Sequence, residues 1–376
     1  MITPILIDHD AACAEQKIHE IAEIIYKDPL NGYNFGLLHG KIGIAIFLLY
    51  YWKWSRIEKF YNKALNLLET SINDSDAQLL MEDNSIQLNT SFEYGLSGVG
   101  WGIELLLRNN YFDGELDDIM EEFDKQLFRH MIDCIKRINN RCWNDAIGIA
   151  LYCLKCKSLL SQEYLRRFIS ELDQIISHRP LYLEHIDHGT ISRLLFVIDS
   201  IKSKIKDITS ITSVFSYIYK IAFKIQDTQF QENEFSLNNI LSKVILYYCT
   251  KRENILMSLM KIGKNWLESP ELKKMSIIHF DEISFIAHIY QILYNKTNNI
   301  TSKNISVLLF RHLLNNATLA EPKTKYKVWP TIDSGLYTLN LGLSHGIAGI
   351  GLILLMAINS QIVVDNEYMI FQNITN

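Results

Sequence analysis

The sequence predicts an all-α protein, an α/α toroid or barrel of about seven inner and seven outer helices, and three observations support this fold class. Long stretches of the 376 residues carry apolar side chains at helical spacing, without sustained period-two alternation. All six prolines fall between those stretches, as helices require. Related glycine-rich segments recur about every 40 to 60 residues, which is typical of a repeat architecture.

Two kinds of helix are expected to alternate along the chain. Stretches 12–25 and 116–138 are amphipathic, whereas shorter stretches between such segments are apolar on every side. The shorter stretches are 42–51, 99–107, 147–154 and 347–356. Because a helix that is apolar all round must be buried on all sides, these are the predicted inner helices.

The inner helices open with a repeated sequence. Its best copies are Gly36-Leu-Leu-His39-Gly40-Lys-Ile-Gly43, Gly95-Leu-Ser-Gly98 and Gly342-Leu-Ser-His345-Gly346-Ile-Ala-Gly349, and weaker copies lie near Trp143, His185, Ser236 and Phe280. Glycine permits close backbone approach and unusual dihedral angles, and the free N–H groups of a helix start suit anions. Seven such starts predict seven helix pairs in one domain, 1–376, with the polar runs 73–89 and 321–334 as loops on the face where the inner helices begin.

Composition excludes several classes of protein. A net charge of -5 with 21% charged residues does not match the basic footprint of a nucleic-acid binder. No apolar run approaches the roughly 20 residues of a membrane span, and the N-terminus lacks the pattern of a secretory signal. The six cysteines form no disulfide framework, and the pair Cys153 and Cys156 is expected to be buried in a helix. A reduced, cytoplasmic location is therefore expected.

The repeated starts resemble the GxxHGxxG-type inner-helix starts of the lanthionine synthetase C-like (LanC-like) family, from about Gly36 to Met356. The resemblance implies an α/α toroid and a role in the maturation of ribosomal, lanthipeptide-type peptides. In active members of that family, a zinc-bound cysteine thiolate of the peptide adds to a dehydrated serine or threonine. The implied partners are a ribosomal precursor peptide and a dehydratase.

The zinc ligands that the resemblance implies are missing from this sequence. The cyclases use a cysteine in a Trp-Cys-Tyr-Gly context at the fifth inner start and a Cys-His pair at the sixth. Here, 235–240 and 278–283 contain no cysteine, and His279, Asp281 and Glu282 would supply a harder ligand set. The zinc site is therefore predicted to be degenerate, with Cys142, His188 and His279 as weak candidate metal ligands.

Other candidate site residues also lie near the inner starts. The resemblance gives His188 the role of the acid/base histidine, for which imidazole has a suitable pKa. His39 and His345 are expected either to bind ligand or to hydrogen-bond backbone at the helix starts. The aromatic candidates are Trp101, Trp143 and Trp329, which are expected either to line a cavity or to fill the core. The acidic candidate is Asp145, which is expected to bind ligand.

Three functions remain open from the sequence. The first is a thioether-forming, lanthionine-cyclase-like enzyme, and the second is a non-catalytic relative that binds a peptide or protein. The third is an α/α-toroid glycoside hydrolase or lyase, which needs two carboxylates facing one cleft. Carboxylates at or near predicted helix starts are Glu93, Asp113, Asp145, Asp187, Asp281 and Asp333.

Overall fold

The computed structural model describes most of the chain as helix. The described residues are 4–80, 89–111, 117–137, 139–156, 159–206, 208–229, 237–268, 280–317, 319–320, 327–329, 331–333, 336–344 and 346–362. Over these ranges the chain forms fourteen α-helices, one 3₁₀-helix and four short strands. The predicted all-α class is confirmed, and each predicted inner or outer stretch falls on a helix.

The helices lie as follows. They are α1 (Asp8–Lys27), α2 (Lys41–Ser55), α3 (Glu58–Leu80), α4 (Leu96–Arg108), α5 (Asp117–Ile135), α6 (Asn140–Lys155), α7 (Leu159–His178), the 3₁₀-helix (Pro180–His185), α8 (His188–Lys204), α9 (Ile211–Gln229), α10 (Leu237–Thr250), α11 (Glu253–Glu268), α12 (Phe280–Thr297), α13 (Ile300–Asn315) and α14 (Ile347–Ile358). The even-numbered helices are the predicted inner ones. In α2 the side chains of 42–51 are all buried, as are those of 347–357 in α14.

The chain divides into two compact units. The first contains the described parts of Met1–Ile72 and Ser258–Asn366, and the second contains those of Asn73–Met257. In the first unit, α14 packs against both α2 and α12, while α1 packs on α14 and α13 packs on α12. Helices α2 and α14 approach closely at Gly351. A Cβ added there would lie only 2.6 Å from the Phe47 ring.

The second unit holds four inner helices in succession. Helix α6 packs between α4 and α8, and α8 also packs on α10, while α5, α7 and α9 pack behind them. Here too glycine allows close approach. A Cβ at Gly100 would lie 2.6 Å from the Tyr152 ring, and one at Gly148 would lie 2.7 Å from Cβ of Phe92.

Two predicted loops contain regular structure. Helix α3 continues through Leu80, so the prediction of a loop over 73–89 is wrong for its first part. Ser71 and Ser75 are buried in α3, and the Ser71 hydroxyl donates to the Leu67 carbonyl within the helix.

The second predicted loop, 321–334, includes strand residues. The strands are β1 (Leu319–Ala320), β2 (Lys327–Val328), β3 (Thr331–Asp333) and β4 (Leu336–Thr338). Strands β1 and β2 form one antiparallel pair, and β3 and β4 form another. Leu319 is paired with Val328, and Thr331 with Thr338. These two hairpins are too short to produce a period-two pattern in the sequence.

One loop conformation precedes three of the inner helices. An asparagine six residues before the cap glycine makes the same two bonds each time. Its backbone carbonyl accepts the first N–H of the helix, and its side-chain oxygen accepts the N–H two residues further on. The backbone bonds are Lys41 to Asn34 (2.8 Å), Leu96 to Asn89 (2.9 Å) and Ile347 to Asn340 (2.9 Å). The side-chain bonds are 2.9, 3.2 and 2.8 Å long.

The cap glycines are needed for space and not for unusual dihedrals. Gly40, Gly95 and Gly346 have φ values of -134°, -122° and -140°, which any residue adopts. A Cβ on Gly40 would lie 2.5 Å from backbone N and O of Gly36. The predicted close approach is confirmed, and these three glycines do not adopt the unusual dihedral angles that glycine permits. Since the loop carbonyl bonds the first N–H of these helices, that group is not open to an anion.

Candidate functional site

The richest polar cluster lies in the second unit, at the starts of α6 and α8. Both starts have side-chain caps. Asn139 accepts the N–H of Arg141 (2.8 Å), and Asp187 accepts the N–H of Thr190 (2.9 Å). A short polar residue before the first turn satisfies helix N–H groups in this way. The caps fix where both helices begin, and so fix the side chains of their first turns.

A buried arginine joins the two helices. Arg193, one turn into α8, is 4% exposed, and its Nη2 donates to Asn144 Oδ1 of α6 (3.1 Å) and to Thr190 Oγ1 (3.1 Å). Burial lowers the pKa of Arg193 to about 10, against the opposing effects of Asp187 and Glu93. The guanidinium therefore stays charged at neutral pH and places a positive charge inside the unit.

His188, the first residue of α8, is 8% exposed and lies against α10. Its Nδ1 is 2.9 Å from Ser242 Oγ. Burial lowers the pKa of His188 to about 4, while Asp187 raises it and Lys243 lowers it further. The ring is consequently neutral near pH 7. When Nδ1 donates to Ser242, Nε2 carries the lone pair that a general base requires.

An open cavity of about 370 Å³ adjoins this network. Its walls come from the loop before α4 and from the first turns of α6. The lining residues are Asn89, Ser91, Phe92, Glu93, Tyr94, Arg141, Asn144 and Asp145. Asn144 connects the cavity wall to the buried Arg193. Burial raises the pKa of Asp145 to about 6, with Arg141 opposing, so its carboxyl group accepts and releases protons near neutral pH.

A group of possible metal ligands lies where α5 ends and α6 begins. Nε2 of His130 is 3.2 Å from Sγ of Cys134, and one ligand atom each of His130, Cys134 and Asp145 lie within 4.8 Å of one another. Cys142 is hydrogen-bonded to Cys134. Burial raises the pKa of Cys134, and nearby Cys142 and Asp145 add to this effect. Burial lowers the pKa of His130.

The structure brings some predicted site residues together and separates others. His188, Cys142 and Asp145 all lie in the second unit, and Cys142 is hydrogen-bonded to Cys134. Among the predicted carboxylates, Glu93 and Asp145 share the cavity. Asp187 caps α8, and Asp281 lies in the first turn of α12, in the other unit.

Tryptophans proposed to line a cavity are buried. Trp101, Trp143 and Trp329 are each 0% exposed. Trp101 packs edge-on against Phe92, with ring centroids 5.7 Å apart, and Trp329 donates from Nε1 to the Leu313 carbonyl (2.8 Å). Contact with a ligand would need their surroundings to move.

The remaining predicted residues are placed as follows. His39 is half-buried, directly before Gly40, and its ligand-binding or backbone-bonding role stays a prediction. His279, His345 and Asp113 lie outside the described residues, and for Asp333 only the backbone is described, in β3.

The zinc site of the cyclases does not fit this chain. Helix α10 provides the fifth inner start, and its first turn contains no cysteine. Its Cys249 lies at the opposite end of the helix. The sixth start also lacks cysteine in the sequence. Two thiolates and an imidazole therefore cannot converge there, and the role of His188 as a metal ligand stays a prediction.

Several site residues were not predicted from the sequence. Arg193, Thr190 and Ser242 carry no motif, because their partners are 46 to 54 residues away for the contacts between helices. His130 and Cys134 did have a signal: they are four residues apart on one helix, and Cys142 and Asp145 are three apart on the next. Both spacings place side chains on one helix face.

Comparison with known proteins identifies the family. Within the described residues, no helix is both long and apolar enough to cross a membrane. A search of curated proteins found no match to the chain. The model of the family described as lanthionine synthetase C-like protein matches residues 31–301, well over half of the chain. That family has the α/α-toroid fold, in accord with the alternating helices. The chain therefore belongs to the lanthionine synthetase C-like family, and its fold class is the α/α toroid.

Proposed function

We propose that this protein takes part in the maturation of ribosomal peptides, and that it closes a thioether ring between a peptide cysteine and a dehydrated serine or threonine. The observation that carries the proposal is His188, a buried and neutral imidazole at the start of the fourth inner helix, held by Ser242 at 2.9 Å. Family membership supplies the substrate class, and His188 supplies a base.

The reaction needs one proton to move. The peptide thiol loses its proton, the sulfur bonds to the β-carbon of the dehydrated residue, and the α-carbon gains a proton. Neutral His188 can accept the first proton and, as imidazolium, deliver the second, so that the imidazole is regenerated. A base positioned in this way contributes about 10²- to 10⁴-fold in rate. The low pKa of His188 keeps the imidazole neutral at pH 7 but also makes it a weak base, and its Nε2 is buried. Peptide binding must therefore expose the ring and raise its pKa for the proton transfer to be efficient.

The neighbouring cavity supports binding of an extended peptide. Its wall presents backbone and side-chain polar groups of the loop before α4, together with Phe92 and Tyr94. Buried Arg193 places positive charge next to the wall through Asn144. This arrangement would stabilise the carbonyl groups of a peptide and the negative charge that develops beside the alkene during addition.

The proposed reaction also implies a cellular location and a partner enzyme for this protein. Dehydrated serine and threonine arise by loss of water, so a dehydratase must act on the precursor peptide first. Because the precursor is made by ribosomes, we place this protein in the cytoplasm, acting as a single domain over 1–376.

The test uses a synthetic peptide that contains one cysteine and one dehydroalanine. Ring closure leaves the mass unchanged and consumes the thiol, so alkylation with iodoacetamide followed by mass spectrometry measures it. We expect the protein to accelerate loss of alkylatable thiol over the peptide alone, and a peptide with alanine in place of dehydroalanine gives the background loss of thiol. Absence of any acceleration over the peptide alone would contradict the proposed activity.

A second candidate function is peptide binding without catalysis, which the missing cysteines at the fifth and sixth inner starts favour. A protein that only binds would show saturable binding of the dehydrated peptide by fluorescence anisotropy. In the thiol-alkylation assay, ring closure would then be no faster than in buffer.

A third candidate is a glycoside hydrolase or lyase, which is favoured by Glu93 and Asp145 lining one cavity and by the raised pKa of Asp145. For such an enzyme we expect the wild type to release new chain ends from labelled oligosaccharides, and both Glu93→Gln and Asp145→Asn to lose this activity. That result would support carbohydrate cleavage over peptide chemistry.

A further inference from the structure

We infer that His130, Cys134, Cys142 and Asp145 form a zinc site that links the end of α5 to the start of α6. The site is distinct from the zinc site of the family's cyclases, which would use the fifth and sixth inner starts. It does not depend on the proposed peptide chemistry.

Geometry is the first support for this site. The ligand atoms of His130, Cys134 and Asp145 lie within 4.8 Å of one another, and the imidazole nitrogen is 3.2 Å from the thiol sulfur. Around a tetrahedral zinc ion, sulfur and nitrogen ligands are about 3.5 Å apart, as follows from the usual bond lengths. Small rotations of these side chains therefore suffice to enclose an ion.

Arrangement on the helices is the second support. His130 and Cys134 are one turn apart on α5, and Cys142 and Asp145 are one turn apart on α6. The two helices pack directly on each other. Each helix thus offers two ligands from one face, which is the arrangement of paired metal ligands on helices.

The chemistry of the donors selects the ion. Two thiols, an imidazole and a carboxylate suit zinc and not magnesium or calcium, which prefer oxygen ligands alone. The other charged groups facing the cluster are Arg137, Arg141 and Asp133. Arg137 favours the charged form of Cys134, and Arg141 favours that of Asp145.

A similar pair elsewhere in the chain lacks the second half of the site. His9 and Cys13 on α1 have the same four-residue spacing, with Nε2 and Sγ 3.7 Å apart. No described group of three potential ligands includes them. Cys13→Ser is therefore a matched control for Cys134→Ser.

The test is metal binding by the full-length protein. The protein, reduced and stripped with a chelator, is titrated with Zn²⁺ against a chromophoric competitor, and then with Co²⁺ to detect thiolate-to-metal charge-transfer absorption. We expect close to one ion per chain, with a thiolate band. We expect affinity at least about tenfold weaker in Cys134→Ser and Asp145→Asn, and unchanged affinity in Cys13→Ser.

Three results would overturn the inference. They are the absence of thiolate absorption with Co²⁺, a disulfide between Cys134 and Cys142 in place of metal uptake, and wild-type affinity in the ligand variants. Should Cys134→Ser fail to fold, His130→Gln and Asp145→Asn decide the matter, because both side chains are only half-buried. Ring closure and metal uptake are measured separately, so failure of one leaves the other standing.

Discussion

Replacement of Gly40 by alanine is expected to destabilise the protein by roughly 3 kcal/mol, the upper part of the range for overpacking a tight site. The new Cβ would lie 2.5 Å from backbone N and O of Gly36 and would also meet the Asn34 side chain. Backbone atoms cannot rotate away as the end of a side chain can. The loop must therefore open, and its hydrogen bond from Lys41 to Asn34 is strained or lost.

The control is Gly32→Ala in the same connection before α2, where an added Cβ meets nothing within 4 Å. It should change the free energy of unfolding by less than about 1 kcal/mol. Urea unfolding followed by circular dichroism compares the two. Because Gly346 has the same environment, Gly346→Ala should match Gly40→Ala. Equal midpoints for Gly40→Ala and Gly32→Ala would refute the steric role of the cap glycine.

Replacement of His188 by asparagine is expected to slow thioether closure by about 10²- to 10⁴-fold. Asparagine can retain the contact with Ser242, but it offers no base. The thiol-alkylation assay measures the rate with the dehydroalanine peptide, and affinity for the peptide should change much less than the rate. His178→Asn is the control, because His178 is exposed and hydrogen-bonds within α7. Closure at the wild-type rate by His188→Asn would remove His188 from the mechanism.

The same variant has a stability signature that depends on pH. The pKa of His188 is about 4 in the folded chain and near 6.5 without perturbation, so the unfolded chain binds more protons between these pH values. The contribution of His188 to stability is fully present above pH 6.5 and is lost as the pH falls towards 4. The loss amounts to roughly 3 kcal/mol, and His188→Asn should lack this part of the pH dependence of unfolding.

Much of the fold was predictable because the helical pattern is strong and repeated. The apolar runs at 42–51 and 347–356 lie within buried helices, and glycine marks their starts. The asparagine six residues before Gly40, Gly95 and Gly346 was also visible in the sequence, although its role requires knowledge of the loop. Short hairpins such as β3 and β4 escaped prediction because two or three residues carry no periodic signal.

The candidate site was less predictable. Asp145 was identified from its position near a helix start, and His188 was identified from the family resemblance. The bond from Arg193 to Asn144 joins residues 49 apart in sequence, and only packing of α6 on α8 brings them together. The four-residue spacing of His130 and Cys134 was visible in the sequence, but the identical spacing of His9 and Cys13 has no matching pair among the residues that the structure describes. The sequence pattern therefore indicates possible pairs of metal ligands, and only the tertiary contacts show which pair meets a second one.

The central claim is that peptide chemistry takes place at the starts of α6 and α8 and in the adjoining cavity. Hydrogen-exchange mass spectrometry with a dehydroalanine peptide that carries serine for cysteine tests it most directly, because this peptide binds without closing. We predict slower exchange at 89–95, 139–145 and 187–193, and no change with a peptide that lacks dehydroalanine. Protection confined to the starts of α12 and α14, with none at these segments, would contradict the claim.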